Sequence, residues 1–468
     1  MLTLIRRHRW WFASTAVAAV LLRLYFVYQL PVIAGDSLFY GDIAKCLIDQ
    51  HMFGIEKVNG WQPTLARLPG YPFFLAFTFL IAGVDHYIGA MLFQLFFDVM
   101  TCFLVADMAR RAIGERAAQT AFLLAAFCPF LMNYVAAPLT ECLELFTIAA
   151  AIDCAMAALA ARRLRWWAVC GVACAGAILL RPDGGLILGC IALPALAQGW
   201  RNRAGDGRGR ELVAAMLLLG VLSLAPLVPW TIRNWQVFHV LQPLVTTHAN
   251  DPGEYTPTGW ERWFKSWLID YSSVEDIGFH VPGDSIDVGD IPDRAYTSSA
   301  QRARVHSLIE QYNVKHEMTP ELDRQFAELA AENIRAHPLR YYLLLPAARI
   351  VDMWFRPRTE MMPLDQHFWE IKADPHDAFC GLALGALNLG YVSAAVAGAW
   401  LMRRRMKYLG LLLTYPVVRS LFLAATGASE DRYTLECYPC VFVLAAGMLT
   451  WWQSRIEPAQ STEPGLAP

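Results

Sequence analysis

Ten apolar runs punctuate this chain, and the arginines and lysines between them gather at five places. The runs are roughly 10 to 30, 87 to 109, 117 to 137, 141 to 161, 166 to 180, 185 to 199, 211 to 230, 379 to 402, 408 to 426 and 434 to 453. The clusters are Arg6-Arg7-His8-Arg9, Arg110-Arg111 with Arg116, Arg162-Arg163 with Arg165, Arg201 to Arg210, and Arg403-Arg404-Arg405 with Lys407. Basic residues are retained on the cytoplasmic side, so an even number of spans must separate each cluster from the next. The ten runs meet that condition with both termini inside. With 56% hydrophobic and 17% charged residues, the 468-residue chain is too apolar to be a soluble globular protein. It reads as an all-α, polytopic membrane protein with membrane lipids as neighbours. Its net charge of −2 gives no reason to expect a nucleic-acid partner.

Two further apolar stretches, 71 to 83 and 339 to 355, are shorter than the roughly 20 residues a bilayer core asks of a helix. Counting either as a span breaks the parity; both together would bring the count to twelve. Both are expected to lie along the outer interface, the first within an outer loop from 31 to 86. The chain then divides into a membrane module (1–230), a cap (231–378), carboxy-terminal spans (379–456) and a disordered tail (457–468). Within the cap, Thr319-Pro320-Glu321 predicts a helix start, and Leu322, Phe326, Leu329, Ala330 and Ile334 recur at helical spacing. That helix is expected to pack on the membrane domain. The aromatic run from Gly259 to Trp267 is expected to anchor at the interface rather than stack a sugar.

The first run continues through Arg23 to Leu30, which favours an uncleaved anchor over a signal peptide. Eleven cysteines lie mostly inside apolar runs, and Cys437-Tyr438-Pro439-Cys440 lacks the second pair or histidine that a zinc or redox site needs. No HExxH and no Asp-x-Asp spacing occurs around Asp36 and Asp42, so no metal and no cofactor are expected.

On this topology the outer helix ends carry mixed acids and arginines. Asp36, Asp42 and Arg67 fall in the first outer loop, and Glu141 opens the fourth span. Arg181 and Asp183 form an outer turn, Arg233 follows the seventh span, and Glu430, Asp431, Arg432 and Tyr433 precede the last. Charge at that depth is costly and marks a functional site. Arginines can hold a phosphate by bidentate hydrogen bonds, and one carboxylate can take a proton from an acceptor hydroxyl. Phosphate leaves as an anion, so this chemistry needs one base and no paired general acid. A sugar joined to a polyprenyl phosphate fits. A transporter or lipid flippase is the alternative, but such proteins place charge near the bilayer midplane and often repeat one half in the other.

Gly35-Asp36-Ser37 with Tyr40, Ile43-Ala44 and Leu47, followed by Arg67-Leu68-Pro69-Gly70-Tyr71-Pro72, resembles the first outer loop of the glycosyltransferase family 39 group. That group includes relatives of protein O-mannosyltransferases and of the lipid A aminoarabinose transferase, within the GT-C superfamily. Arg181-Pro182-Asp183-Gly184, Pro229-Trp230-Thr231-Ile232-Arg233-Asn234 and Arg432-Tyr433 resemble it too. The resemblance implies a GT-C bundle with a periplasmic cap, in the inner (plasma) membrane. It implies an inverting enzyme that moves a sugar from a polyprenyl-phosphate donor to a lipid, glycan or protein acceptor on the extracytoplasmic face. It puts the base at Asp36, with Asp42 as alternative, and a donor-phosphate contact at Arg67. Tyr40, Tyr71, Glu141, Arg181, Asp183, Arg233, Arg432 and Tyr433 are the further expected substrate contacts. Two departures bear on the acceptor. Ser37 stands where protein O-mannosyltransferases have a second acid, and the chain ends soon after its last run, without the aminoarabinose transferase's large carboxy-terminal domain.

Overall fold

A computed structural model describes residues 1–33, 35–201, 208–246, 248–364, 367, 369, 371–372 and 374–456. The expected disordered tail and part of the Arg201 to Arg210 cluster lie outside the described residues.

The amino-terminal part begins with α1 (Leu2–Arg7) and α2 (Arg9–Gln29), then α3 (Asp36–Asp49). A hairpin of β1 (Gly54–Lys57) and β2 (Gly60–Pro63) follows, with Lys57 opposite Gly60. The sequence reading has no counterpart for this hairpin. Val58-Asn59 makes its two-residue turn, and Gly60 supplies the positive φ of 93° that closes it. Next come α4 (Gly70–Ala82), α5 (Tyr87–Ala112), α6 (Glu115–Ala126), α7 (Pro129–Val135), α8 (Glu141–Ala161) and α9 (Leu164–Leu180). Then α10 (Leu186–Arg201), α11 (Arg208–Leu224) and α12 (Leu227–Phe238) complete this half. The cap holds α13 (Thr258–Lys265), α14 (Tyr271–Ser273), α15 (Ser299–Lys315) and α16 (Pro320–Ala336). The chain returns through α17 (Leu345–Phe355), α18 (Pro375–Leu401), α19 (Leu409–Thr426) and α20 (Tyr438–Ile456).

Among the described residues, seven helices are long and apolar enough to cross a membrane, or eight if α6 and α7, bent by 53°, make one span. The other two of the ten runs are α9 and the stretch Pro182–Ala197, which are shorter apolar helices. The count of ten therefore holds only if these two also cross. The helix Gly70–Ala82 has 13 residues, about 20 Å at 1.5 Å per residue, too short for a bilayer core of roughly 30 Å. Large apolar side chains stay exposed on the bundle's outside, among them Leu21 on α2, Leu217 on α11 and Val396 on α18. A bilayer covers such a surface. The centre is closed by α5, α6, α8 and α20, whose buried alanines let the helices approach closely.

A buried ion pair fixes α2 in this bundle. Arg23 is fully buried and pairs with Asp98 on α5. Its Nη1 donates to the carbonyls of Ala19 (3.1 Å) and Ala126 (2.8 Å). The bend between α6 and α7 arises at Pro129, which lacks an N–H and leaves carbonyls at the end of α6 without their helical partners. Arg23 supplies one of the missing donors. The first run thus belongs to the bundle.

The cap has its own core, and here two expectations need correction. Trp260, Trp263, Phe264 and Trp267 sit three and four residues apart, so they share one face of α13 and its immediate continuation. They are buried against Phe326, Leu329 and Ala330 of α16. The aromatic run neither anchors at an interface nor faces a sugar, and α16 packs on α13 instead of on the membrane domain. Gly259 permits the contact, because a Cβ there would lie 2.0 Å from the Asp323 carbonyl oxygen. The expected start of α16 is present: Thr319 Oγ1 accepts from the Leu322 amide at 3.3 Å.

Removing one partner of a buried pair strands the other charge. Arg23→Leu is therefore expected to cost about 3–5 kcal/mol, and Arg23→Leu with Asp98→Leu to recover much of it. Denaturant unfolding of the detergent-solubilised protein measures both.

Candidate active site

Asp36 is the first residue of α3, where the unpaired amides of a helix start favour negative charge. Gly35 makes that start possible, with a φ of 53° that a side chain would strain. Arg67 reaches back from just before α4, and its Nη2 donates to Asp36 Oδ1 at 2.7 Å. The guanidinium also lies over the rings of Phe39 at 4.8 Å and Tyr40 at 5.8 Å. Burial alone would raise the Asp36 carboxyl, but the Arg67 and then the Arg432 guanidinium outweigh it and hold it below its ordinary value. The start of α4 presses on the end of α9: a Cβ on Gly70 would lie 2.6 Å from the Leu179 carbonyl oxygen. This contact ties the Arg67 loop to the turn that carries Arg181.

The second half of the cluster comes from that turn and from the chain entering α20. Arg432 lies 3.8 Å from Asp36 Oδ2 and 4.0 Å from Glu141 Oε1, beyond hydrogen-bond length, while Glu430 is 2.5 Å from its Nε. Arg181 is 3.5 Å from Glu141, 3.6 Å from Glu144 and 3.2 Å from Asp183. The Tyr433 ring joins the two arginines, with Arg181 over it at 4.2 Å and Arg432 at 4.9 Å. Its hydroxyl donates to Glu430 at 2.7 Å and accepts from Arg432 at 3.0 Å. Arg419 underlies all of this. It is fully buried, pairs with Glu436, lies 3.0 Å from Asp183, and donates to the Tyr433 carbonyl at 2.6 Å.

Exposure separates the arginines by what they can reach. The side chains of Arg67 (24%), Arg181 (18%) and Arg432 (13%) remain partly accessible, whereas Arg419 has none. Three guanidiniums thus ring Asp36 and Glu141 with N–H groups that an anion could take up. Chemically, the arrangement can hold a phosphate beside a carboxylate kept ionised.

The structure brings Asp36, Tyr40, Arg67, Glu141, Arg181, Asp183, Arg432 and Tyr433 into this cluster and puts three other expected residues elsewhere. Asp42 faces outward and pairs with Lys45 at 2.8 Å, because it shares a helix face with position 45 and not with position 36. Tyr71 is fully buried, and its hydroxyl donates to Gln94 Oε1 at 2.6 Å, which leaves only its ring edge against Tyr40. Arg233 donates to the carbonyls of Thr64 (2.8 Å) and Phe53 (2.6 Å) and lies against Phe53, Trp230 and Phe238. It positions the chain leading to Arg67. Three members escaped the sequence reading: Glu144, Arg419 and Glu436. Glu144 is one turn beyond Glu141 on α8, a spacing that was visible. Arg419 and Glu436 are single charges within or beside apolar runs and give no pattern.

Among the described residues, Asp374, His376 and Asp377 come within 4.8 Å of one another in a geometry that suits a metal. They are at the exposed start of α18, where the Asp374 carboxylate accepts from the amides of His376 and Asp377 as a helix cap.

Residues 63–231 match the family model described as dolichyl-phosphate-mannose-protein mannosyltransferase. No protein of curated function matches the chain. The archaeal oligosaccharyltransferase of Archaeoglobus fulgidus, tethered to an acceptor peptide, superposes with a TM-score of 0.52 at 13% identity, covering 95% of this chain and 50% of that one. The archaeal oligosaccharyltransferase AglB from Archaeoglobus fulgidus, in complex with an inhibitory peptide and a dolichol-phosphate, gives 0.50 at 14% identity, covering 96% and 51%. ArnT from Cupriavidus metallidurans bound to undecaprenyl phosphate gives 0.41 at 13% identity, covering 95% and 78%; that score is too low to rest a role on. The chain spans about half the length of the oligosaccharyltransferase structures it matches. The chain shares the fold of the matched part of the oligosaccharyltransferase structures, and the family-model match over residues 63–231 falls within the stretch from which the motif resemblance was read.

Because the Asp36 pKa is depressed on folding, the ion pair with Arg67 stabilises the protein above the unfolded carboxylate value of about 3.9. That contribution is lost as pH falls through the folded value. Arg67→Gln is therefore expected to lower stability near neutral pH, with the deficit vanishing in acid; thermal unfolding at stepped pH measures it.

Proposed function

We propose that this protein is a membrane-embedded inverting glycosyltransferase that takes its sugar from a polyprenyl-phosphate donor. The observation that carries the reading is the position of Asp36 between Arg67 at 2.7 Å and Arg432 at 3.8 Å, with further N–H groups from Arg181 nearby. In the proposed reaction the acceptor hydroxyl loses its proton to Asp36, and its oxygen attacks the anomeric carbon. The carbon–oxygen bond to phosphate breaks, and the electron pair leaves on the phosphate. Arg67, Arg432 and Arg181 hold that anion by charge-assisted hydrogen bonds. A carboxylate kept ionised by two arginines is a weak base, but it suffices here because it accepts the proton late, from a hydroxyl already bonding to carbon. Glu141, buried beside Arg181 and Arg432, braces their geometry.

The dolichol-phosphate held by the matched oligosaccharyltransferase supports a polyprenyl-phosphate donor for this chain as well. In this reading the cluster faces outward, to the periplasmic or extracytoplasmic side of the inner membrane, with the cap above it and the basic clusters inside. Residues 1–230, 231–378 and 379–456 then act as membrane module, cap and closing spans.

Asp36→Asn keeps the shape and removes the proton acceptor, so turnover with a polyprenyl-phosphate sugar is expected to fall by about 10²–10⁴ while donor binding holds. Full turnover in that variant excludes Asp36 as the base. Arg67→Ala is expected to weaken donor affinity by about tenfold, the effect of one lost charge-assisted hydrogen bond. A reporter fused at Lys407 should read cytoplasmic, and a periplasmic reading would mean that 339 to 355 crosses the membrane.

A further inference from the structure

A cavity of about 850 Å³ opens where the cap meets α17 and α18. Its lower wall is apolar: Val351, Phe355, Leu382 and Leu389. All four are 44% or more exposed. Its upper wall is acidic. Asp270, Asp276, Asp290 and Asp352 contribute four carboxylates against the guanidiniums of Arg294 and Arg356 and the imidazole of His367. Arg294 is spent on Asp270 and on Ser273 Oγ at 2.9 Å. Arg356 donates to Ser272 Oγ at 2.7 Å, and His367 lies 3.2 Å from Asp276. Asp352 keeps a buried carboxylate oxygen, Oδ2, with no hydrogen-bond partner. The indole of Trp369, half exposed, also lines the cavity.

We infer that this cavity binds a lipid whose head is an uncharged sugar, with the acyl chain leaving between α17 and α18. A phosphate head is disfavoured, because the acids outnumber the cations and the cations already have anionic or hydroxyl partners. Sugar hydroxyls suit such a wall: they donate to carboxylates and leave a C–H face to stack on indole. The division of labour follows from charge. Phosphate belongs at Arg67, Arg181 and Arg432, and neutral hydroxyls belong here.

Tyr271 neighbours this wall, its ring 5.8 Å from the Arg356 guanidinium. Burial, then the charges of Glu430, Glu275 and Glu360, raise the Tyr271 hydroxyl above its ordinary value. Calling the bound lipid the acceptor rests on the glycosyltransferase reading; its binding does not.

The test uses the full chain in phosphatidylcholine nanodiscs doped with one of three diazirine-bearing lipids: monoglucosyl diacylglycerol, diacylglycerol or phosphatidic acid. Labelling mapped by mass spectrometry is expected on α17 and α18 chiefly from the glucosyl lipid. Asp276→Asn with Asp352→Asn is expected to reduce it about tenfold, as for the loss of one charge-assisted hydrogen bond. Trp369→Ala, which removes a half-exposed indole lying 5.9 Å from the Arg356 guanidinium, is the second variant and should reduce labelling as well. Equal labelling by the three lipids, stronger labelling by phosphatidic acid, or labelling unchanged in both variants overturns the inference. Because this readout needs no sugar transfer, an inactive donor panel would count against the transferase reading alone.

Discussion

A guanidinium without access to water holds the centre of this molecule together. Arg419 rises from α19 into the space between α8, the Arg181 turn and the chain entering α20, and meets Asp183, Glu436 and the Tyr433 carbonyl there. A buried charge is tolerated only when its partners are in place, so these four segments must assemble together or not at all. The accessible arginines then inherit their positions. Arg181 is placed by Asp183, and Arg432 by its neighbour Tyr433, whose ring lies between the two. The three guanidiniums around Asp36 and Glu141 repel one another, and this underlying pair helps to fix their spacing.

The same principle recurs at the other side of the bundle. Arg23 and Asp98 join α2 to α5, and Arg23 satisfies carbonyls freed where Pro129 bends the chain. In lipid such carbonyls find no water, so the bend and the buried arginine depend on each other. Both arginines stood in the sequence inside apolar runs, where a charge needs a reason.

The apolar period and the spacing of basic clusters made the bundle legible, since hydropathy and charge retention act on stretches of sequence. Asp36 and Arg67 were legible for a related reason: each stands alone beside a glycine or proline that shapes its turn. Asp42 and Arg233 looked equivalent to them in one dimension. They differ in facing, because α3 turns Asp42 toward Lys45 and the carbonyls of a hairpin consume Arg233. The hairpin was invisible, since Gly54–Lys57 and Gly60–Pro63 hold too few residues to set a period of two. The tryptophans of α13 were legible as a stripe, but a stripe does not say whether lipid, sugar or another helix covers it.

Asp251 gives the loop before Arg67 a second point of attachment. Its carboxylate accepts from Thr64 Oγ1 at 2.9 Å and the Leu65 amide at 2.8 Å, and Lys57 closes on its other oxygen at 3.2 Å. Thr64 and Arg67 are three residues apart, so the beginning of the cap grips the strand from which Arg67 hangs. A shift of the chain around Asp251 would therefore pull on the Asp36 pair through a short tether.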